Sequence, residues 1–172
     1  MQKNRLKSVK ILYLIRHAKS SWKYNVPDDE RPLKKRGAND ALLVSNELKN
    51  SILIPDMILS SYAKRAKNTA QIFTQNLSLN NIEFKIKDAL YDFSGSNLLN
   101  TIQSCDDNID KLMVFGHNYA ITNFVNTYGN KYIENVPTSG FVEIHFDESS
   151  WKILKKGKTE RIVFPKDLKA KL

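Results

Sequence analysis

One cysteine, Cys105, stands among 172 residues. No internal disulfide can form, and such usage suits a reducing compartment, so a cytoplasmic protein is predicted. Long apolar runs are missing as well. The run "ILYLI" at residues 11–15 falls far short of the ~18 residues that a membrane span needs. Although basic residues precede it, it is also too short for the apolar stretch of a secretory signal, because Arg16 follows at once. No Gly-rich phosphate loop occurs, so nucleotide triphosphate binding has no support. The three histidines lack the paired spacing of metal ligands, and arginines near two of them would repel a cation, so neither a metal nor another cofactor is expected. There are no internal repeats and no low-complexity linker. At this length the chain reads as one domain, residues 1–172, able to bury a single core.

The net charge is +9, which invites a nucleic-acid reading until its location is considered. Residues 1–10 hold four basic side chains and no acid, and residues 155–172 hold seven basic and two acidic ones. Between them basic and acidic residues balance, sixteen of each. The excess therefore lies in the two ends, 1–9 and about 155–172, which read as solvated peripheral segments rather than a nucleic-acid groove. Attraction of phosphorylated or acidic partners is the alternative use of such ends.

What is present is an alternation of short apolar strands with helical patterns. "KILYLI" (10–15) and "KLMVFG" (111–116) read as strands covered on both faces, as does "PDMILSS" after its proline. "PLKKRGANDALLVSNELKN" puts Ala38, Ala41, Leu42, Ser45 and Leu48 on one helical stripe, with Pro32 in its first turn. "AKRAKNTAQIFTQNL" does the same for Ala63, Ala66, Ala70, Phe73 and Leu77. "IEFKIK" alternates as a half-exposed strand. A helix is expected from about Asn97 to Ser104, and another over "YAITNFVNTY" closed by a left-handed Gly129. "GFVEIHF" and "SWKILKK" read as a late hairpin at the sheet edge. This pattern predicts an α/β fold, a three-layer α/β/α sandwich around a mostly parallel sheet.

In such sheets ligands bind beyond the carboxyl ends of the strands. Three buried strands end at "RHAKSS", "SSYAKRA" and "GHNYA", so Arg16, His17, Arg65 and His117 are expected to converge there. Two arginines and two histidines around one point suit a phosphoryl dianion, since the guanidinium fork is always charged and matches phosphate oxygens. Helix starts add backbone N–H groups. Nearby arginines keep an imidazole neutral, and a backbone carbonyl after His17 would fix its tautomer, so that it can attack phosphorus. Other readings stay open: Arg65 on a solvated helix face beside Lys64 and Lys67, and His117 as turn chemistry between Gly116 and Asn118. Lys19 and Lys23 read as rim charges, and His145 has no assigned role.

These residues resemble a known family. "RHAKSSW" is similar to the R-H-G signature of the histidine phosphatase superfamily, which includes phosphoglycerate mutases. "SSYAKRAKNTA" resembles its S-S-P-x-x-R-A-x-x-T-A segment, and "GHN" its second histidine motif. "RPLKKRGANDA", "ALYDFSG" and "VPTSGFVEI" narrow the resemblance to small SixA-type phosphohistidine phosphatases, over residues 10 to about 148. Ala18 and Tyr62 replace the motif glycine and proline. The resemblance implies a phosphoglycerate-mutase-like fold without a helical lid, His17 as nucleophile, and Arg16, Arg65 and His117 as the phosphate pocket. It makes Asp92 the general acid, and adds Asn118 and Ser61 as phosphate contacts. The implied activity is hydrolysis of phosphohistidine, or another phosphomonoester, through phospho-His17, with a phosphorylated protein as partner and no nucleic acid or membrane. Alternatives are a small-metabolite phosphatase or mutase of the same family, and a non-catalytic phosphate- or nucleic-acid-binding module.

Overall fold

In the computed structural model, which describes residues 9–172, the first apolar run becomes β1 (Lys10–Arg16) at the heart of a six-stranded sheet. The other strands are β2 (Met57–Ser60), β3 (Glu83–Ile86), β4 (Lys111–Gly116), β5 (Phe141–Phe146) and β6 (Lys158–Val163), in the order β3-β2-β4-β1-β5-β6. The first four run parallel, and β5 pairs antiparallel with both β1 and β6. Among the described residues five helices cover the sheet: α1 (Lys35–Leu48), α2 (Lys64–Asn76), α3 (Ser96–Gln103), α4 (Ala120–Tyr128) and α5 (Pro165–Lys169). The side chains of β1 alternate between two cores. Leu12 and Leu14 join Leu98, Ile102, Ile121 and Phe124 of α3 and α4, while Tyr13 and Ile15 join Ala41, Val44, Ala70, Phe73 and Leu168 of α1, α2 and α5. The three-layer expectation holds.

This arrangement positions the site. β1 and β4 are neighbours in register, Arg16 opposite Gly116, yet the helices that follow them lie on opposite faces of the sheet. A crevice opens where neighbouring strands part company in this way. Backbone bonds lock the three strand ends together: His17 N donates to Gly116 O (3.0 Å) and Ser61 N to Phe115 O (3.1 Å). Among the described residues no helix is long and apolar enough to cross a membrane.

Several local expectations are corrected. α1 begins at Lys35, because Pro32 is occupied in a loop pairing in which its carbonyl accepts from Ser21 N at 2.8 Å. Its buried face is Gly37, Asp40, Ala41, Val44, Ser45 and Leu48, and Leu42 is exposed. Gly37 sets that rotation: a Cβ there would sit 2.2 Å from Lys19 O, so only glycine lets the helix close on the loop after His17. Gly129 is extended (φ −90°, ψ 170°) rather than left-handed, and is required instead because a Cβ would meet Thr159 Oγ1 at 2.4 Å. β3 is an edge strand exposed along its whole length. "SWKILKK" is no strand: Trp151 is fully buried in a single 3-10 turn, its Nε1 donating to Ile109 O at 2.7 Å, and the hairpin partner is β6 further on.

Residues 155–172 are not peripheral. They supply β6 and α5, with Leu168 in the core and Lys169 Nζ 2.6 Å from the buried Asp40 carboxylate. At the other end, Lys10 is fully buried and donates to Asp107 O, Ile109 O and Asp110 Oδ1. The rest of the N-terminal basic segment, residues 1–8, lies outside the described residues.

Candidate active site

At the carboxyl ends of β1, β2 and β4 lies an open cleft of about 460 Å³ lined by Arg16, His17, Arg65 and Asn118, together with Lys19, Trp22, Asp28, Arg31 and Phe93. The rings of His17 and His117 lie 5.1 Å apart. The four residues expected to converge do so. Arg65 sits on the first turn of α2 but is only 2% exposed, which removes the solvated-face reading. Thr69, one turn on, ties that helix to the His17 loop: its hydroxyl donates to Arg65 O (2.7 Å) and accepts from Ala18 N (2.8 Å).

His17 Nδ1 lies 2.8 Å from Ala18 O. A carbonyl only accepts, so Nδ1 carries the proton and Nε2 keeps its lone pair. Burial first, then His117, Arg65 and Arg16, lower the His17 pKa to about 3 against the opposing Ala18 bond. His117 is likewise brought to about 3, by burial and then Arg65. Ser61 Oγ accepts from Ala63 N (3.2 Å) and lies 2.8 Å from His117 Nε2. The buried Ser61 hydroxyl has no other acceptor among the described residues, so its proton goes to Nε2, which leaves Nδ1 of His117 as the N–H. That Nδ1, Arg16 Nε and Arg65 Nε are buried with no hydrogen-bond partner among the described residues. Three buried donors without partners, on residues that adjoin His17, are costly until an anion or water completes them.

Neutral histidines carry a stability consequence. Between about pH 6.5 and 3 the unfolded chain binds protons at His17 and His117 that the folded chain refuses, so unfolding free energy falls as pH drops through that window. An NMR titration is expected to show both rings neutral at pH 5; either one titrating near 6.5 contradicts the assignment.

The remaining predicted residues are placed differently. Asp92 is outside the cleft lining. Its carboxylate accepts from Ser94 N and Oγ, Gly95 N and Leu98 N, and so holds the start of α3. Burial pushes its pKa up, but those donors outweigh it and hold the carboxyl below the usual range. In this structure it serves as a cap. Asp92→Ala is expected to cost about 1–2 kcal/mol of stability while slowing alkyl- and aryl-phosphate hydrolysis equally. A loss confined to the alkyl ester restores it as an acid. Ser61 orients His117 instead of facing the cleft. Asn118 lines the cleft, but its Oδ1 accepts from Thr122 N and Oγ1 and its Nδ2 donates to Asn135 Oδ1.

Two cleft residues were not foreseen. Asp28 accepts from Arg65 at both its carbonyl (Nη1, 2.6 Å) and its carboxylate (Nη2, 2.9 Å), and also from Arg31 Nε (3.0 Å) and the Tyr91 hydroxyl. It thus holds Arg65 from behind, with Nε left over. Desolvation raises its pKa, but Tyr91, Arg65 and Arg31 prevail and bring it to about 2. Arg31, 7% exposed, is the second. Both lie in "NVPDDERPL", which has no periodicity to flag them; only the density of charge around Pro27 and Pro32 hints at a packed loop.

Comparison with known proteins agrees. The model of the histidine phosphatase superfamily (branch 1) matches residues 12–101. An uncharacterized protein of Mycobacterium tuberculosis is 31% identical over 105 residues, spanning 60% of this chain and 62% of that protein. The solved protein histidine phosphatase SixA in complex with tungstate superposes with a TM-score of 0.77 at 18% identity, covering 92% of this chain and 99% of that one. Phosphoglycerate mutase from Bacillus anthracis gives 0.66 at 15% identity, over 95% and 96%. The fold is therefore phosphoglycerate-mutase-like, and no helical insertion covers the cleft among the described residues. Family model and strand-end geometry lead to one conclusion: the chain belongs to the histidine phosphatase superfamily, branch 1.

Proposed function

We propose that this protein removes the phosphoryl group from phosphohistidine on a protein, by way of a covalent phosphohistidine at His17. The observation that carries the reading is the neutral His17 ring, Nδ1–H bonded to Ala18 O, beside the orphaned donors of Arg16, Arg65 and His117. The Nε2 lone pair attacks phosphorus, the bond to the substrate ring breaks, and that ring departs. Water then attacks the phosphorus of phospho-His17, and inorganic phosphate leaves. Because Nδ1 stays protonated throughout, His17 itself departs as a neutral imidazole in the second step. The arginines and His117 stabilise the transferring phosphoryl charge.

The leaving group favours phosphohistidine. Among the described residues that line the cleft, Asp28 is the one carboxylate, and with its carboxyl at about 2 it is a poor proton donor at neutral pH. An alkoxide needs that proton. A phosphohistidine ring brings its own, on the nitrogen away from phosphorus, and leaves neutral. The open cleft also suits a side chain presented by a folded protein better than a small ester gripped on all sides. On one preparation, kcat/KM for a phosphohistidine-bearing protein is expected to exceed that for sugar phosphates and phosphoglycerate. A small metabolite preferred by tenfold, ~1.4 kcal/mol in barrier, overturns the reading in favour of a metabolite phosphatase.

A further inference from the structure

Arg16, Lys19, Arg31 and Arg65 line the cleft against a single carboxylate, Asp28, with both histidines neutral. Three positive charges remain, one more than a phosphoryl dianion neutralises. The orphaned donors beside His17 belong to Arg16, Arg65 and His117, so the surplus sits with Lys19 and Arg31. We infer that these two form a second anion subsite, which takes a carboxylate of the protein substrate standing beside its phosphorylated side chain; this rests on the reading above that the substrate is a protein.

Arg31 is built for such a role. Its Nε donates to Asp28 Oδ1 at 3.0 Å, its Nη1 to Ser20 Oγ at 2.8 Å, and its guanidinium lies 3.5 Å over the Trp22 ring. Nη2 is in no hydrogen bond among the described residues, although the residue is only 7% exposed. The carboxylate it uses is shared with Arg65 and with the Tyr91 hydroxyl, so its charge is incompletely matched inside the protein. Arg31 lines the open cleft and its Nη2 is not among the buried unpartnered atoms, so that N–H edge is open to water and to an anion in the cleft. A guanidinium already immobilised loses little further entropy on binding.

Lys19 completes the pair. It lines the same cleft, is exposed, and joins no salt bridge among the described residues. The segments that carry the two cations are zipped together: Ser21 N donates to Pro32 O and Lys34 N to Lys19 O, both at 2.8 Å, and Ser20 bridges Leu33. The two charges are thus held on paired backbone. One N–H edge, one ammonium and one unit of surplus charge fit a monoanion, hence a carboxylate rather than a second phosphate. The source assigned here is Asp or Glu next to the phosphorylated residue, because the cleft is open to a protein surface.

The test compares two phosphohistidine peptides that differ only in flanking Glu against Gln, with 3-phosphoglycerate against glycerol 3-phosphate as the small-acid arm. At low ionic strength the wild type is expected to favour the acidic peptide by about fivefold in kcat/KM, near the upper end for an exposed ion pair, and the ratio to shrink at high salt. Lys19→Met is expected to narrow it below twofold. Equal turnover of both peptides by the wild type, or a ratio untouched by Lys19→Met, overturns the subsite while leaving the phosphohistidine activity standing. Peptides not turned over, with a Lys19-dependent preference for 3-phosphoglycerate, overturn the protein source and the proposed substrate together.

Discussion

His17→Ala is expected to lower turnover by at least ~10³-fold, as loss of a nucleophile that acts as part of a unit does, while leaving tungstate or vanadate affinity nearly intact. The two effects separate because different atoms serve chemistry and binding. The Nε2 lone pair makes the bond to phosphorus, whereas the orphaned donors belong to Arg16, Arg65 and His117. The variant loses the bond from Nδ1 to Ala18 O, but the loop stays anchored by His17 N to Gly116 O and Ala18 N to Thr69 Oγ1. Oxyanion binding measured by calorimetry and turnover measured on one preparation give the split. Parallel loss of both means that His17 is a binding residue; loss of neither means that the nucleophile lies elsewhere.

Arg65→Ala is expected to produce the opposite split in rank, with oxyanion affinity weakened by about 1.5–3 kcal/mol, the worth of a charged hydrogen bond. Its Nε is one of the orphaned donors, and its two Nη groups anchor Asp28. Without it the Asp28 carboxyl loses one of the partners that bring it to about 2, so its pKa is expected to rise. Arg65→Lys is not expected to rescue, because an ammonium cannot grip Asp28 with two nitrogens while offering a third toward the phosphoryl group. Unchanged affinity in either variant returns Arg65 to a purely structural role.

The residues of the site that were legible in the sequence share one property: they follow strands whose apolar runs are long enough to recognise. "ILYLI", "MIL" and "LMVF" fix where β1, β2 and β4 end, and the general rule for parallel sheets then brings His17, Arg65 and His117 to one rim. Asp28 and Arg31 were invisible for the converse reason. They act through tertiary contacts to Arg65, Tyr91 and Trp22, and a loop without period gives no sign of what it folds against. The capping bonds of Asp92 are hidden for a related reason: a carboxylate in a motif position does not reveal its partners. "DFSGS", with Asp followed by Ser and Gly ahead of a helix, carries the signature of turn and cap chemistry. At the C-terminus, counting charges hid a strand. "KTERIVF" alternates, with Thr159 and Val163 buried and Lys158 and Glu160 exposed, and Lys169 finds its counter-ion in Asp40.

If the phosphoryl group passes through His17, a rapid quench of the enzyme with a radiolabelled phospho-substrate, followed by mapping of the labelled peptide, traps it there. Label is expected on the peptide that contains "LIRHAK", stable to base and lost in acid as a phosphohistidine is, with no label in His17→Ala. Acid-stable label, label on another peptide, or label that survives His17→Ala contradicts it.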